Sequence, residues 1–118
     1  MRTSPLDGAW ALVTGECIDN GQMVRYAEHG ISSRKVLAAG HFTFVSSRQG
    51  AFWSAGSGRF HFDGERYVEQ PNLGTFPPEA LREYAFQARI DGNDWHNERW
   101  EDGTRVEYEL WRRIDDTP

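Results

Sequence analysis

The chain is bracketed by two tryptophan motifs. Gly8-Ala9-Trp10 stands near its start and Glu109-Leu110-Trp111-Arg112-Arg113 near its end. Between them run short segments rich in aromatic and β-branched residues, punctuated by Asn20-Gly21, Asp63-Gly64, Asp91-Gly92 and Asp102-Gly103. Such dipeptides favour hairpin turns because their residues tolerate positive φ. Many short strands on tight turns predict an all-β chain: one small antiparallel β-barrel that closes its last strand against its first. A closed barrel has an interior, and an interior can hold a ligand.

We read strands near 8–17, 23–27, 35–46, 51–56, 58–63, 66–70, 84–91, 94–101 and 104–113, with a loop at 28–34. The connection 71–84 breaks the pattern. Its Pro77-Pro78-Glu79-Ala80-Leu81-Arg82-Glu83-Tyr84 run begins with proline, has an early acid and continues in good helix formers. That predicts a short helix of one or two turns, either plugging one barrel end or acting as a lid. Gly56 and Gly58 predict a bend or bulge, as barrels require. Trp10 and Arg113 are expected to stack as a structural cation–π pair at a barrel end.

A length of 118 residues fits one domain, 1–118, large enough to bury a core without disulfides or metals. Thirteen basic against eighteen acidic side chains give a net charge of −5, and no basic block is present. A nucleic-acid partner is not expected, because phosphate binding needs a concentrated positive face. The single cysteine, Cys17, cannot form an intrachain disulfide, and no apolar run follows the N-terminus. These features predict a cytoplasmic protein with no membrane partner.

Strand alternation then sorts side chains onto faces. Tyr67 shares a face with Glu69. Trp95 shares one with Asn97. Glu107, Glu109, Trp111 and Arg113 share another, and Phe86 aligns with Ala88 and Ile90. In the strand near 41–45, His41, Thr43 and Val45 oppose Phe42 and Phe44. A solvent-facing surface does not need Tyr67, Trp95 or Trp111, and a dry core does not want Glu69 or Glu109. A ligand cavity wants both kinds. The candidate acid–base or polar-end residues are therefore His41, Tyr67, Glu69 and Glu109, and the candidate walls are Trp53, Phe86, Trp95 and Trp111. The alternative sends the carboxylates to the outer wall, paired with Arg99, Arg105 or Arg113. No metal or other cofactor is expected, since His61-Phe62-Asp63 and His96-Asn97-Glu98 each offer two possible ligands and no third. Ser54 lacks a nucleophile-elbow motif, and Cys17 reads as a small buried hydrophobe.

Several motifs occur in a recognisable order: Gly8-x-Trp10-x-Leu12, then Lys35-x-Leu37 with His41-Phe42-Thr43-Phe44, then Gly56-Ser57-Gly58-Arg59-Phe60. Tyr67-Val68-Glu69, the Ile90-Asp91-Gly92-Asn93-Asp94-Trp95 turn and Glu109-x-Trp111-x-Arg113 follow. In this order the chain resembles the small bacterial lipocalin-like proteins of the calycin superfamily, many of them of unknown function. The resemblance implies an antiparallel barrel whose cavity binds small, often apolar molecules. The expected function is binding of a small, largely apolar or aromatic metabolite. One alternative is a cofactor-independent isomerase, cyclase or lyase that uses His41, Glu69 and Glu109 in the same cavity. Another is a structural barrel that forms a homodimer through exposed aromatics.

Overall fold

The computed structural model describes residues 3–114. Nine strands follow in chain order: β1 (Gly8–Asp19), β2 (Gln22–Arg25), β3 (Ile31–Ala38), β4 (His41–Arg48), β5 (Ala51–Phe62), β6 (Arg66–Gly74), β7 (Tyr84–Asp91), β8 (Asp94–Glu101) and β9 (Thr104–Arg113). All pairings are antiparallel, each of β3 to β9 lies beside its chain neighbour, and β9 returns to β1. Eight strands thus close a meander barrel, consistent with lipocalin-like architecture. The short β2 sits outside the count, paired to the far half of β1. Closure removes the free sheet edges that an open meander would present.

The expected strands near 84–91, 94–101 and 104–113 occur with those bounds. The expected strand 35–46 is two strands, β3 and β4, folded back at Ala39-Gly40, and β3 takes up most of the expected 28–34 loop. Both turn residues have positive φ (53° and 80°), as does the pair Gln49-Gly50 between β4 and β5 (51° and 82°). Ala39 and Gln49 adopt a conformation that their side chains disfavour because cross-strand pairing on both sides imposes it, so neither turn carries the usual dipeptide signature. The expected strands 51–56 and 58–63 form the single strand β5. Gly58 lies at a register shift against β6, where a Cβ would stand 2.2 Å from the Gln70 carbonyl oxygen. It therefore permits a bulge within the strand and does not end it.

The helix expected in 71–84 is a single 3-10 turn, Pro78–Ala80. β6 runs on to Gly74 and β7 begins at Tyr84, so the turn spans only part of the segment between them. β7 pairs only with Arg66–Glu69 of β6, so the upper part of β6 has no β7 partner. The connection 75–83 sets Phe76 and Ala80 into the cavity wall.

One barrel end is closed by the segment 4–7, which carries no sequence motif. Ser4 and Asp7 form a tight turn in which each backbone N–H is held locally, and this drives Leu6 fully into the interior. The Leu6 carbonyl accepts the Trp10 indole N–H at 2.9 Å. Arg113 lies 4.2 Å above the Trp10 ring and donates to the carbonyls of Asp7 and Pro5. The expected Trp10–Arg113 pair is present and fastens the plug to the β1–β9 seam. Above the plug, Trp95 meets Trp10 and Tyr67 edge-on, with ring centroids 5.3 and 4.9 Å apart, and stacks with Trp111 at 6.1 Å. Edge-on aromatic contacts add to the burial that already stabilises such a core.

Candidate functional site

Moving along the inward positions away from the plug, the same strands change chemistry. β9 presents Trp111, then Glu109, then Glu107. β8 presents Trp95, Asn97 and Arg99. β6 presents Tyr67 and Glu69, and β3 presents Leu37, Lys35 and Ser33. A period of two fixes each series, so one strand supplies both an apolar floor and a polar wall. Above the floor lies a cavity of about 270 Å³, bounded by Leu12, Phe44, Phe76, Phe86 and Trp111 on its apolar sides and by Lys35, Glu69, Glu107 and Glu109 on its polar ones. Gly56 makes room for the wall, since a Cβ there would stand 2.6 Å from the Phe76 ring and 3.0 Å from that of Phe44.

Lys35 separates floor from cavity. Its side chain is 6% exposed, and its ammonium lies 2.6 Å from Glu69 Oε2. The same ammonium stands 4.8 Å from the Trp111 ring centre and 5.5 Å from that of Trp95. Burial alone would lower the Lys35 pKa; the charges of Glu69 and Glu109 outweigh it and raise the pKa above the ordinary value. The Tyr67 hydroxyl donates to the same Glu69 oxygen at 2.6 Å. Burial first, and then the Glu69 charge, holds the Tyr67 phenol far above its usual range, so it stays a donor. The Glu69 Oε2 oxygen is thus occupied from two sides.

Glu107 and Glu109 are held differently. Glu107 accepts from Arg99 Nε at 2.9 Å, and Arg99 also reaches Glu101. Burial, and then the nearby charge of Glu109, pushes the Glu107 pKa up to about 7 against the pull of Arg99. Glu109 has no ion-pair partner within contact distance among the described residues. Its Oε1 accepts the Trp111 indole N–H at 3.0 Å. Burial raises its pKa, Lys35 opposes that, and Glu69 adds to it. Asn97, wholly buried, is the cross-strand neighbour of Glu109. Its Oδ1 accepts from Trp95 Nε1 at 2.8 Å, which turns Nδ2 away from Trp95. That Nδ2 meets no acceptor at hydrogen-bond geometry, although the side chain lies close enough to Glu109 to lower its pKa.

Tyr26 joins the group from the 3-10 turn after β2, with its ring lying on the bare face of Gly15. Burial, followed by the charges of Glu109 and Glu107, drives its phenol far above the ordinary value. Cys17 nearby is also raised, by burial first, and is no thiolate nucleophile at neutral pH.

Of the residues singled out from sequence, Glu69, Glu109, Phe86 and Trp111 meet at the cavity. Tyr67 and Trp95 lie in the floor beneath it. His41 does not join them: it is exposed on the outer wall, because its neighbour Phe42 takes the inward position. Trp53 is likewise outside and 48% exposed, beside a register shift between β4 and β5. The outer-wall alternative for the carboxylates is overturned, and the expected partner Arg99 pairs with Glu107 on the inside. Lys35, Phe44, Phe76, Tyr26, Asn97 and Glu107 were not selected. Alternation alone carried the signal for Glu107, on the same face as Trp111, and for Lys35, on the same face as Leu37. No local signal marked Phe76 or Tyr26, which reach the interior from connections.

The fold and cavity define a class: an eight-strand antiparallel barrel, plugged at one end, with a polar-walled chamber above an aromatic floor. No protein-family model matches the chain, and no curated protein matches it. No described helix is long and apolar enough to cross a membrane.

Proposed function

We propose that this barrel binds a small, largely apolar or aromatic metabolite with one polar end, as a cytoplasmic member of the lipocalin-like group that its motifs resemble. The cavity carries this reading: aromatic walls with a few placed polar groups are the usual composition of a small-molecule site. At about 270 Å³ it lies near the lower limit of the roughly 300–1,000 Å³ typical of pockets for drug-sized ligands, so the occupant is small. Phe86 and Trp111 serve as walls, and Glu109 with the Glu69–Lys35 pair receives the polar end. Native mass spectrometry of the protein purified from its own host tests this. A stoichiometric small molecule that leaves on denaturation is the expected result. An empty barrel that also fails to take up small aromatic compounds would sink the reading.

A second reading is supported by Glu107. A buried carboxyl with a pKa of about 7 beside a second raised carboxyl suits general acid–base catalysis without a cofactor. In that reading Glu109 and Glu107 move the proton, and His41 has no part. Turnover of a bound metabolite that Glu109→Gln abolishes while binding persists is its test. A third reading, a homodimer, draws on Val45, Phe52, Trp53 and Leu73, which are exposed on the outside. Sedimentation velocity at working concentration decides it.

A further inference from the structure

The charges around the cavity do not balance, and the imbalance bears on the ligand's polar end. Three carboxylates bound the cavity, those of Glu69, Glu107 and Glu109, against the single ammonium of Lys35. That ammonium is held by Glu69 at 2.6 Å and enclosed by aromatic rings. The Arg99 guanidinium is held by Glu107 and Glu101. An incoming carboxylate or phosphate would face three acids with no cation left to receive it. Glu109 is the group left over. A buried carboxylate without a cation must either protonate or find one. Its Oε1 is fixed by Trp111, and its Oε2 has no partner at hydrogen-bond geometry among the described residues, with the Asn97 amide near enough to act on the carboxyl.

Asn97 supplies an independent observation. It is completely buried, its amide is oriented by Trp95, and its Nδ2 is left without a partner opposite Glu109. An orphan donor in this position is costly unless the carboxylate beside it stays an acceptor. The Trp111 N–H makes the same demand on Oε1. Two donors and the Lys35 charge therefore favour the ionised form of Glu109 against the burial that raises its pKa, and Lys35 is itself ion-paired to Glu69.

We infer that the cavity selects a small organic cation: a protonated amine on a compact aromatic or hydrocarbon body, with its ammonium donating to Glu109 and its body against the aromatic walls. The inference rests on the binding reading above and narrows it. An ammonium restores the missing positive charge, donates to the free oxygen and is attracted to the rings around it. Lys35 already shows that this interior stabilises an ammonium through a carboxylate and ring faces together.

Three probes of similar shape test it: 2-phenylethylamine, 2-phenylethanol and 3-phenylpropanoate. Each is titrated into the full chain, with Kd and the indole N–H resonances of Trp95 and Trp111 as readouts. The expected result is that the amine binds at least about tenfold more tightly than the alcohol, and the propanoate most weakly. Glu109→Gln should reduce amine affinity to that of the alcohol while alcohol binding persists. Because the readout is a ratio within one variant, general loosening of the barrel does not imitate it. If Glu109→Gln does not fold, Glu107→Gln should lower the same ratio, by less.

Glu109 is faced by Lys35 from β3, Glu69 from β6, Asn97 and Arg99 from β8, Glu107 from β9, Tyr26 from the turn after β2 and Cys17 from β1. Of these, Glu107 ionises near pH 7. The amine preference should therefore grow between pH 5 and 8, where the amine itself stays charged. If the alcohol or the propanoate equals or exceeds the amine, the cation inference is overturned and the cavity reading stands. If no probe moves the indole resonances, both fall.

Discussion

The plugged half and the chambered half of the barrel are built from the same strands and behave as opposites. In the lower half, Trp10, Trp95, Tyr67 and Leu6 are fully buried, and their polar atoms are satisfied by fixed partners. In the upper half, Glu109 retains unused hydrogen-bonding capacity at the cavity, and Asn97, buried behind it, keeps an unpaired Nδ2. A floor whose aromatic side chains are packed and hydrogen-bonded provides stability, with Asp7 Oδ1 in the plug the one buried side-chain polar atom there that lacks a partner among the described residues. The chamber is neither filled nor fully satisfied. On the proposed binding reading, the difference separates stability from recognition along the barrel axis, two residues apart on each strand, so variants at neighbouring inward positions should fail in different ways.

The sharpest break comes from the floor. Trp95→Ala should destabilise by about 3–5 kcal/mol through lost burial and a cavity, and should also free Asn97. Urea denaturation checks this, and a loss below about 1 kcal/mol would contradict the picture of a rigid floor. At the boundary, Lys35→Met should cost about 3–5 kcal/mol by leaving Glu69 buried without its cation, whereas Lys35→Met with Glu69→Leu should recover most of that loss. Failure of the second change to rescue the first would mean that Lys35 matters through something other than its pair.

In the chamber, pH sharpens the contrast. Glu107 is raised to about 7 when folded, from an ordinary value of 4.5. The folded state therefore holds a proton that the unfolded state has already lost, and stability falls as pH rises from about 4.5 to about 7. The expected loss is on the order of 2 kcal/mol, and Glu107→Gln should flatten the slope. A protein that gains stability over this range, with the variant indistinguishable from it, would refute the assignment. The smallest effect belongs outside: His41→Ala and Trp53→Ser should change stability by no more than about 0.5 kcal/mol and leave cavity binding intact. A marked loss of binding in either would move the site to the outer wall.

How much of this could be read from the chain depends on the range of the cause. The shared faces of β6, β8 and β9 were legible because a period of two needs only local residues, and the closure of β9 on β1 because Trp motifs bracket a run of short strands on tight turns. Alternation grouped Glu69 with Tyr67 and Glu109 with Trp111 while leaving the outer wall open as an alternative, and both carboxylates line the cavity. The β3–β4 turn was not legible, since Ala39 takes positive φ under the constraint of two paired strands. His41 was misjudged because its chemistry suggested a site while its own alternation with Phe42 placed it outside.

The sequence by itself determined the all-β meander and which side chains share a face along each strand, because hairpin turns and strand alternation act over a few residues; which face is the inner one it left open. Only the tertiary structure decided which inward acids receive a cation. Lys35 and Glu69 lie 34 positions apart, and Arg99 and Glu107 lie on facing strands. Closing the barrel brought Lys35 to Glu69, the β8–β9 hairpin set Arg99 directly beside Glu107, and Glu109 was left facing the cavity without an ion pair among the described residues.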